Sequence, residues 1–195
     1  GNTMLDSHED LPKESVELQR LQDVELQPFK KAFRARLDLV LTSHILFEKI
    51  DPQWPVTLSK IFLTDLLRNN LRYRNLVITD DLGMKALTKN FATELIPVQA
   101  LKAGVNLLLY CNEFDVPPIA LQSVIKAVEK GEIDKAHITK SYTKRLLLLS
   151  SVTCRNTLFY DIIGFCWNVR LIRLLKNFGF SDKAYANTLK IVRRI

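Results

Sequence analysis

The chain has 195 residues, of which 47% are hydrophobic and 25% are charged, a composition typical of a folded protein with one core. It contains no uninterrupted apolar run of about 18 residues, so the sequence predicts no membrane-spanning helix. The three cysteines (Cys111, Cys154 and Cys166) have neither the even number of a disulfide framework nor the close pairing of a zinc site. We therefore expect free thiols and a cytoplasmic location.

The net charge of +7 is distributed unevenly. Residues 151–195 hold eight Lys and Arg residues against Asp161 and Asp182, which leaves +1 for residues 1–150. The sequence thus predicts a nearly neutral body and a basic, apolar-rich tail. The tail could bind a membrane surface, a nucleic acid or a protein partner, or it could be a translated frameshift or fused remnant.

The first half of the body begins with a polar loop over residues 1–12. Apolar residues at steps of three and four predict a helix from Glu14 to Arg36, divided by Pro28. The stretch Leu37–Thr42, with the apolar run Leu39-Val-Leu41, predicts a short buried strand. Thr57 or Ser59 is then expected to cap a helix that runs to Leu71.

The second half repeats this alternation of strand and helix. Strands are predicted over residues 75–79 and 105–110, and helices over 89–103 (ended by Gly104), 118–130 (ended by Gly131) and 135–149. Short apolar strands that alternate with amphipathic helices are typical of a parallel sheet, in either a barrel or a doubly wound fold. No glycine-rich phosphate-binding loop follows any strand, which argues against nucleotide binding.

Polar residues follow all three predicted strands: Thr42-Ser43-His44, Thr79-Asp80-Asp81 and Cys111-Asn112-Glu113. Because the carboxyl ends of parallel strands meet at one edge of the sheet, we expect these residues to share a pocket.

Several short motifs, in order, resemble glycoside hydrolase family three, and specifically its bacterial β-N-acetylglucosaminidases. They are Asp6-Ser7-His8-x-x-Leu-Pro, Leu39-Val-Leu-Thr-Ser-His44 and Val77-Ile-Thr-Asp-Asp-Leu-Gly-Met84, followed by Ala103-Gly-Val-Asn106 and Ser141 to Arg145. The resemblance covers about residues 1–149. It implies a (β/α)8 barrel, of which this chain would carry roughly the last three strands and their helices.

The resemblance also implies the catalytic residues. Asp80 takes the place of the nucleophile in a retaining mechanism, and His8, oriented by Asp6, takes that of the acid/base. Residues i and i+2 of an extended segment point to the same side, so Asp6 could stabilise the imidazolium form of His8. The non-catalytic alternatives are that His8 is a solvated surface residue and that Asp80 caps a helix. For Asp81, capping or support is the expected role.

Three further residues are candidates for binding the substrate. His44 could form the floor of the pocket or be a hydrogen-bonded core histidine. Met84 could line the sugar site or fill a gap in the core. Asn112 is a weaker pocket candidate.

The chain also departs from the family. Members of the family carry a Lys-His pair and a Pro-Gly-His-Gly run just before the position that corresponds to residue 1. With earlier residues, these motifs would bind the sugar hydroxyls and the N-acetyl group. This sequence contains neither motif, so we expect the first five barrel strands to be missing. A complete barrel takes roughly 250 residues. A partial barrel has an open strand edge and an open core, so we expect the chain alone either to fold poorly or to self-associate through that edge.

The resulting expectation is a retaining exo-β-N-acetylglucosaminidase that releases terminal β-linked GlcNAc from cell-wall muropeptides, without a metal or organic cofactor. A related alternative is that the sugar is transferred to phosphate instead of water. The alternatives are a non-catalytic fragment that binds a membrane or nucleic acid through its tail, and a structural remnant with neither activity. In domain terms, residues 1–150 would form the barrel portion and residues 151–195 the tail.

Overall fold

A computed structural model describes residues 5–111 and 115–153. The chain divides into two compact units, Gly1–Leu146 and Leu147–Ile195. Of the second unit, the described part is Leu147–Thr153, the end of the last helix. The basic tail predicted for residues 151–195 otherwise lies outside the described residues, and so does Asn112.

Five strands and six α-helices occur in the described part of the chain. The strands are β1 (Lys13–Glu14), β2 (Leu39–Leu41), β3 (Leu46–Phe47), β4 (Leu76–Asp81) and β5 (Leu107–Leu109). The helices are α1 (Leu18–Asp23), α2 (Gln27–Arg34), α3 (Lys85–Thr88), α4 (Leu95–Ala103), α5 (Val116–Glu129) and α6 (Lys135–Thr153). A 3-10 turn (Val56–Leu58) and a π-helix (Ile61–Asn70) lie between β3 and β4.

The three predicted strands form one parallel sheet in the order β2-β4-β5. Spatial neighbours follow chain order without a reversal, as in a barrel and unlike a doubly wound sheet. The sheet is not closed within the described residues. This part of the chain is therefore an incomplete (β/α)8 arrangement, in agreement with the predicted fold class.

The main core lies between this sheet and the helices that follow its strands. Val77 of β4 and Val105 beside β5 are completely buried and share one apolar cluster with Leu63 and Leu67 of the π-helix and Ile96 of α4. Phe62 and Leu66 of the π-helix belong to a second cluster, together with Leu21 of α1 and Phe47 of β3. Helices that bury two sides in this way hold the sheet in place.

The helix predicted over residues 14–36 is wrong at its start. Lys13 and Glu14 form β1, which pairs in parallel with β3, and the Glu14 carbonyl accepts the Glu48 N–H at 3.0 Å. Pairing with a distant segment overrides local helical periodicity here. The predicted division into two pieces is present, although the break falls at Val24–Leu26 and Pro28 lies in the first turn of α2.

The helix predicted from residue 89 begins instead at Leu95. A helix that started at Lys89 would require an N–H at Pro97 to bond the preceding turn, and proline has none. In the first turn of α4 no such bond is needed, so Pro97 is accommodated there. The predicted stops are correct: Gly104 (φ 115°) and Gly131 (φ 74°) both adopt positive φ after a helix.

The helix predicted to follow Ser59 is a π-helix. The Ser59 hydroxyl accepts the Phe62 N–H at 3.3 Å, which fits its predicted capping role, and the Leu71 N–H reaches back five residues to the Leu66 carbonyl at 2.8 Å. None of the helices in the described ranges is long and apolar enough to cross a membrane.

Candidate active site

Asp80 lies near the carboxyl end of β4, in an irregular part of the strand. Between the pairs Ile78–Leu107 and Asp81–Leu109, β4 advances by one residue more than β5, so the strand bulges at Thr79 and Asp80. The buried Thr79 hydroxyl accepts the Leu109 N–H at 2.9 Å inside the bulge. Such bulges re-aim side chains beside functional sites. Periodicity in the sequence gives no sign of this bulge.

The Asp80 carboxylate has one oxygen engaged. Oδ1 accepts the N–H of Asp81 at 2.8 Å, whereas Oδ2 has no hydrogen-bond partner among the described residues. The side chain is partly buried. One oxygen held and one free is a geometry that suits a nucleophile, because the free lone pairs can face a substrate.

Asp81 supports the same strand end. Its Oδ1 accepts the Gly83 N–H at 2.9 Å and the Cys111 N–H at 3.2 Å, which links the end of β4 to the end of β5. Burial raises the pKa of the Cys111 thiol, and the nearby charge of Asp81 raises it further. This geometry fits the expected supporting role of Asp81.

Asp6 and His8 form a compact pair. The Asp6 Oδ1 atom accepts the His8 N–H and faces His8 Nδ1, both at 2.9 Å. The backbone hydrogen bond from His8 is the main reason why the pKa of the Asp6 carboxyl is lowered. Both side chains are largely exposed, at 75% for His8 and 62% for Asp6.

The expected extended geometry of this pair is wrong. The Glu9 N–H bonds the Asp6 carbonyl at 2.9 Å, so residues 6–9 form a turn. Aspartate favours such turns because its carboxylate accepts the N–H two residues later. The contact between Asp6 and His8 is thus made across a turn and not along a strand.

The loop that carries His8 is attached to the segment that follows Asp80. The Ser7 carbonyl accepts the Ala86 N–H at 3.3 Å, and the Lys89 ammonium donates to the Glu9 carbonyl at 2.7 Å. The buried Leu11 packs with Leu46 and Ala86. The Asp6–His8 motif and the segment that follows Asp80, far apart in sequence, therefore meet at α3.

The remaining described candidates are buried. His44 is 1% exposed, and both its ring nitrogens contact protein atoms: Nδ1 the Thr57 hydroxyl at 2.8 Å and Nε2 the Asp81 carbonyl at 3.0 Å. Of the two alternatives for His44, this geometry favours the hydrogen-bonded core position. Met84 is 7% exposed and precedes α3, where its carbonyl accepts the Leu87 N–H.

A model of the glycosyl hydrolase family 3 N-terminal domain matches residues 1–148. The chain belongs to glycosyl hydrolase family 3. The β-hexosaminidase of Hydrogenovibrio crunogenus is 30% identical over 154 residues, which cover 78% of this chain and 42% of that protein. The chain thus spans less than half the length of this curated family member.

Solved structures support the same family. The chain is similar to a family 3 β-N-acetylglucosaminidase from Paenibacillus sp. str. FPU-7, with 37% identity, a TM-score of 0.73 and coverage of 76% of this chain and 28% of that one. CbsA from Thermotoga neapolitana is 32% identical with a TM-score of 0.74, over 80% of this chain and 36% of its own. The family assignment inferred from the motifs is therefore confirmed.

Proposed function

We propose that this chain carries the nucleophile and the acid/base of a retaining exo-β-N-acetylglucosaminidase. The observation that carries the proposal is the attachment of the Asp6–His8 loop to the segment just after Asp80, through the hydrogen bond between Ser7 and Ala86. Family members named β-hexosaminidase and β-N-acetylglucosaminidase support the choice of sugar.

In the first step, Oδ2 of Asp80 attacks the anomeric carbon while the bond to the leaving oxygen breaks. His8 gives that oxygen a proton from Nε2, the ring nitrogen that does not face Asp6. The product is a covalent glycosyl-enzyme on Asp80 and a released alcohol. The Asp6 carboxylate contacts Nδ1 and thereby orients the ring for this step.

In the second step, His8 Nε2 takes a proton from a water molecule, which attacks the same carbon and releases Asp80. The sugar leaves with its original β configuration, and His8 is protonated again. Two inversions at one carbon give net retention. Neither step requires a metal ion or an organic cofactor.

The substrate in this proposal is a cell-wall muropeptide with a terminal β-linked GlcNAc, processed in the cytoplasm as part of peptidoglycan recycling. The muropeptide rests on the resemblance of the motifs to the bacterial enzymes, and the compartment on the absence of a disulfide pattern among the three cysteines. Met84 and Asn112 are proposed to border the sugar site.

The edge of the sheet at β2, which is open within the described residues, is proposed to be an association surface. On β2, Leu39 is 36% exposed and Leu41 is 58% exposed, and β2 pairs on one side with β4. Exposed apolar side chains on an unpaired strand edge favour pairing with another chain. Association of this kind could supply strands and sugar-binding groups that the described residues do not provide.

Release of a chromophore from an aryl β-N-acetylglucosaminide tests the function directly. We expect turnover that Asp80→Asn and His8→Ala abolish or strongly reduce. The matched controls are Asp38→Asn, an exposed carboxylate at the amino end of β2, and Glu9→Ala beside His8. If the chain is inactive alone, a version extended at its N-terminus with the barrel strands of a family member should be active. Inactivity of both would overturn the glycosidase assignment.

A further inference from the structure

A group of buried polar side chains contacts the end of β4, at the residue that follows the proposed nucleophile. Thr42, His44 and Thr57 are 3%, 1% and 0% exposed, so their polar atoms depend on one another. The Thr57 hydroxyl is the centre of the group: it donates to the Ser43 carbonyl at 3.0 Å and contacts Thr42 Oγ1 at 2.9 Å. Its third neighbour is His44 Nδ1 at 2.8 Å.

The hydrogen atoms of this group can be assigned from the acceptors. The Asp81 carbonyl can only accept, so Nε2 of His44 must carry a hydrogen to bond it at 3.0 Å. Burial, the largest influence, lowers the pKa of His44 and favours the neutral ring. The ring is therefore the Nε2–H tautomer. Its Nδ1 and the Ser43 carbonyl both accept from the Thr57 hydroxyl.

This arrangement clamps the backbone of Asp81 on both sides. Its N–H is held by Oδ1 of Asp80, and its carbonyl is held by His44. The clamp lies at the end of β4 directly after the bulge, where pairing with β5 resumes at Asp81 and Leu109. A shift of the Asp81 peptide would thus turn the Asp80 carboxylate as well.

We infer that His44, oriented by Thr57, is a positioning residue that fixes the Asp81 peptide and thereby aims the free oxygen of Asp80. The inference rests on the proposed role of Asp80 as the nucleophile. It assigns His44 no contact with the sugar, because both ring nitrogens are occupied by protein atoms and the side chain is almost fully buried.

A kinetic comparison tests the positioning role. His44→Leu removes the donor to Asp81, and misaimed reacting groups can cost about 100-fold in rate, so we expect a fall of that size in kcat with KM within about twofold. In His44→Gln, the side-chain amide can replace Nε2–H, so this variant should recover most of the lost kcat. Thr57→Val, which keeps the shape but removes the hydroxyl, should fall between the two.

The matched control is His137 of α6, whose Nε2 contacts the Val105 carbonyl at 2.8 Å. This is the same type of contact, but it lies at the amino end of β5, away from Asp80. We expect His137→Leu to reduce stability and leave kcat unchanged. Equal losses of kcat in His44→Leu and His44→Gln, or a KM effect without a kcat effect, would overturn the inference.

A measurement on the full chain without substrate separates this inference from the proposed function. Nitrogen-15 NMR of the histidine rings should show a proton on Nε2 of His44, with a coupling across the hydrogen bond to the Asp81 carbonyl that Thr57→Val weakens. An unprotonated Nε2 would overturn the inference whether or not the chain hydrolyses a glycoside. A protonated Nε2 in an inactive chain would leave the positioning geometry supported and count against the proposed activity alone.

Discussion

The guanidinium of Arg68 donates a hydrogen bond of 2.6 Å to the side-chain oxygen of Asn106, which also accepts the Val77 N–H at 3.0 Å. The amide nitrogen of Asn106 donates to Ser141 of α6 at 2.8 Å. One polar network thus joins the π-helix, the start of β4, the start of β5 and the last helix. It lies at the amino ends of the strands, opposite the proposed catalytic residues.

We expect Arg68→Lys to lower the free energy of unfolding by about 2 kcal/mol, because lysine lacks the planar fork that bonds several acceptors at once. Besides Asn106, Arg68 bonds the carbonyls of Tyr73 and Asn75 at 3.2 and 2.5 Å. Urea unfolding followed by circular dichroism measures the change. Arg34→Lys, at an exposed position in the last turn of α2, is the control and should change stability by less than about 0.5 kcal/mol. Equal effects of the two substitutions would contradict a structural role for the network.

Much of the fold could be predicted from local sequence patterns. Apolar runs predicted the positions of the three strands of the sheet, and Gly104 and Gly131 predicted two helix ends. The expected burial of the first strand is wrong, because Leu39 and Leu41 of β2 are exposed. The two short strands β1 and β3 were not predicted, because two residues carry too little periodicity and their pairing depends on contact between segments more than 30 residues apart. The π-helix was expected only as a helix, since i and i+5 bonding leaves no distinct pattern in a run of apolar residues.

In the site, too, features set by local sequence patterns could be predicted and contacts between distant segments could not. The motifs predicted which residues matter, but not how they are held. The bulge at Asp80 and the contact of His44 with the Asp81 carbonyl depend on distant segments, and no local propensity encodes them. The turn at Asp6 could have been predicted, because Asp-Ser-His-Glu places a turn-forming aspartate two residues before the histidine.

Gly104 should be more sensitive to substitution than Gly131. Its φ is 115°, and an added Cβ would lie 3.0 Å from Thr64 Oγ1, a hydroxyl held by its own bond to the Ala103 carbonyl at 2.8 Å. Gly131 has a φ of 74° and open space around it. We expect Gly131→Ala to cost about 1 kcal/mol for backbone conformation alone and Gly104→Ala at least about twice as much. Thermal and urea unfolding of both variants checks this order, and a smaller loss at Gly104 would contradict the close contact with the π-helix.

Asp6→Asn should impair proton transfer more than binding. Asparagine can still accept the His8 N–H, but it removes the negative charge beside the ring. General acid/base catalysis contributes roughly 100- to 10,000-fold, and we expect loss of this part of it to lower kcat about 10- to 100-fold for a substrate with a poor leaving group. With a nitrophenolate leaving group, which needs little protonation, the first step should be affected much less.

The control for Asp6→Asn is Asp10→Asn in the same loop. Asp10 also accepts a backbone N–H, that of Leu11 at 2.8 Å, and its pKa is lowered chiefly for that reason, yet it does not bond the His8 ring. This variant should retain kcat for both substrates. The first step is compared through kcat/KM, and an Asp6→Asn defect in kcat/KM that is independent of the leaving group would argue that Asp6 only shapes the loop.

His44 should make stability depend on pH near neutrality. Because burial lowers its pKa below the ordinary value of 6.5, the unfolded chain binds a proton at His44 more readily than the folded chain does. The free energy of unfolding should therefore fall as pH decreases from about 6.5 toward the lower pKa of the folded state, and His44 should contribute no slope above that range. The carboxylates of Asp80 and Asp81 attenuate the effect, since their charges raise the pKa of the ring. Urea unfolding at pH 7.5 and pH 5.5 measures the dependence. The same pair of measurements on His44→Gln, which retains a donor but does not titrate, should show a smaller loss at pH 5.5, and an identical loss in both proteins would mean that His44 can take up a proton in the folded state without cost.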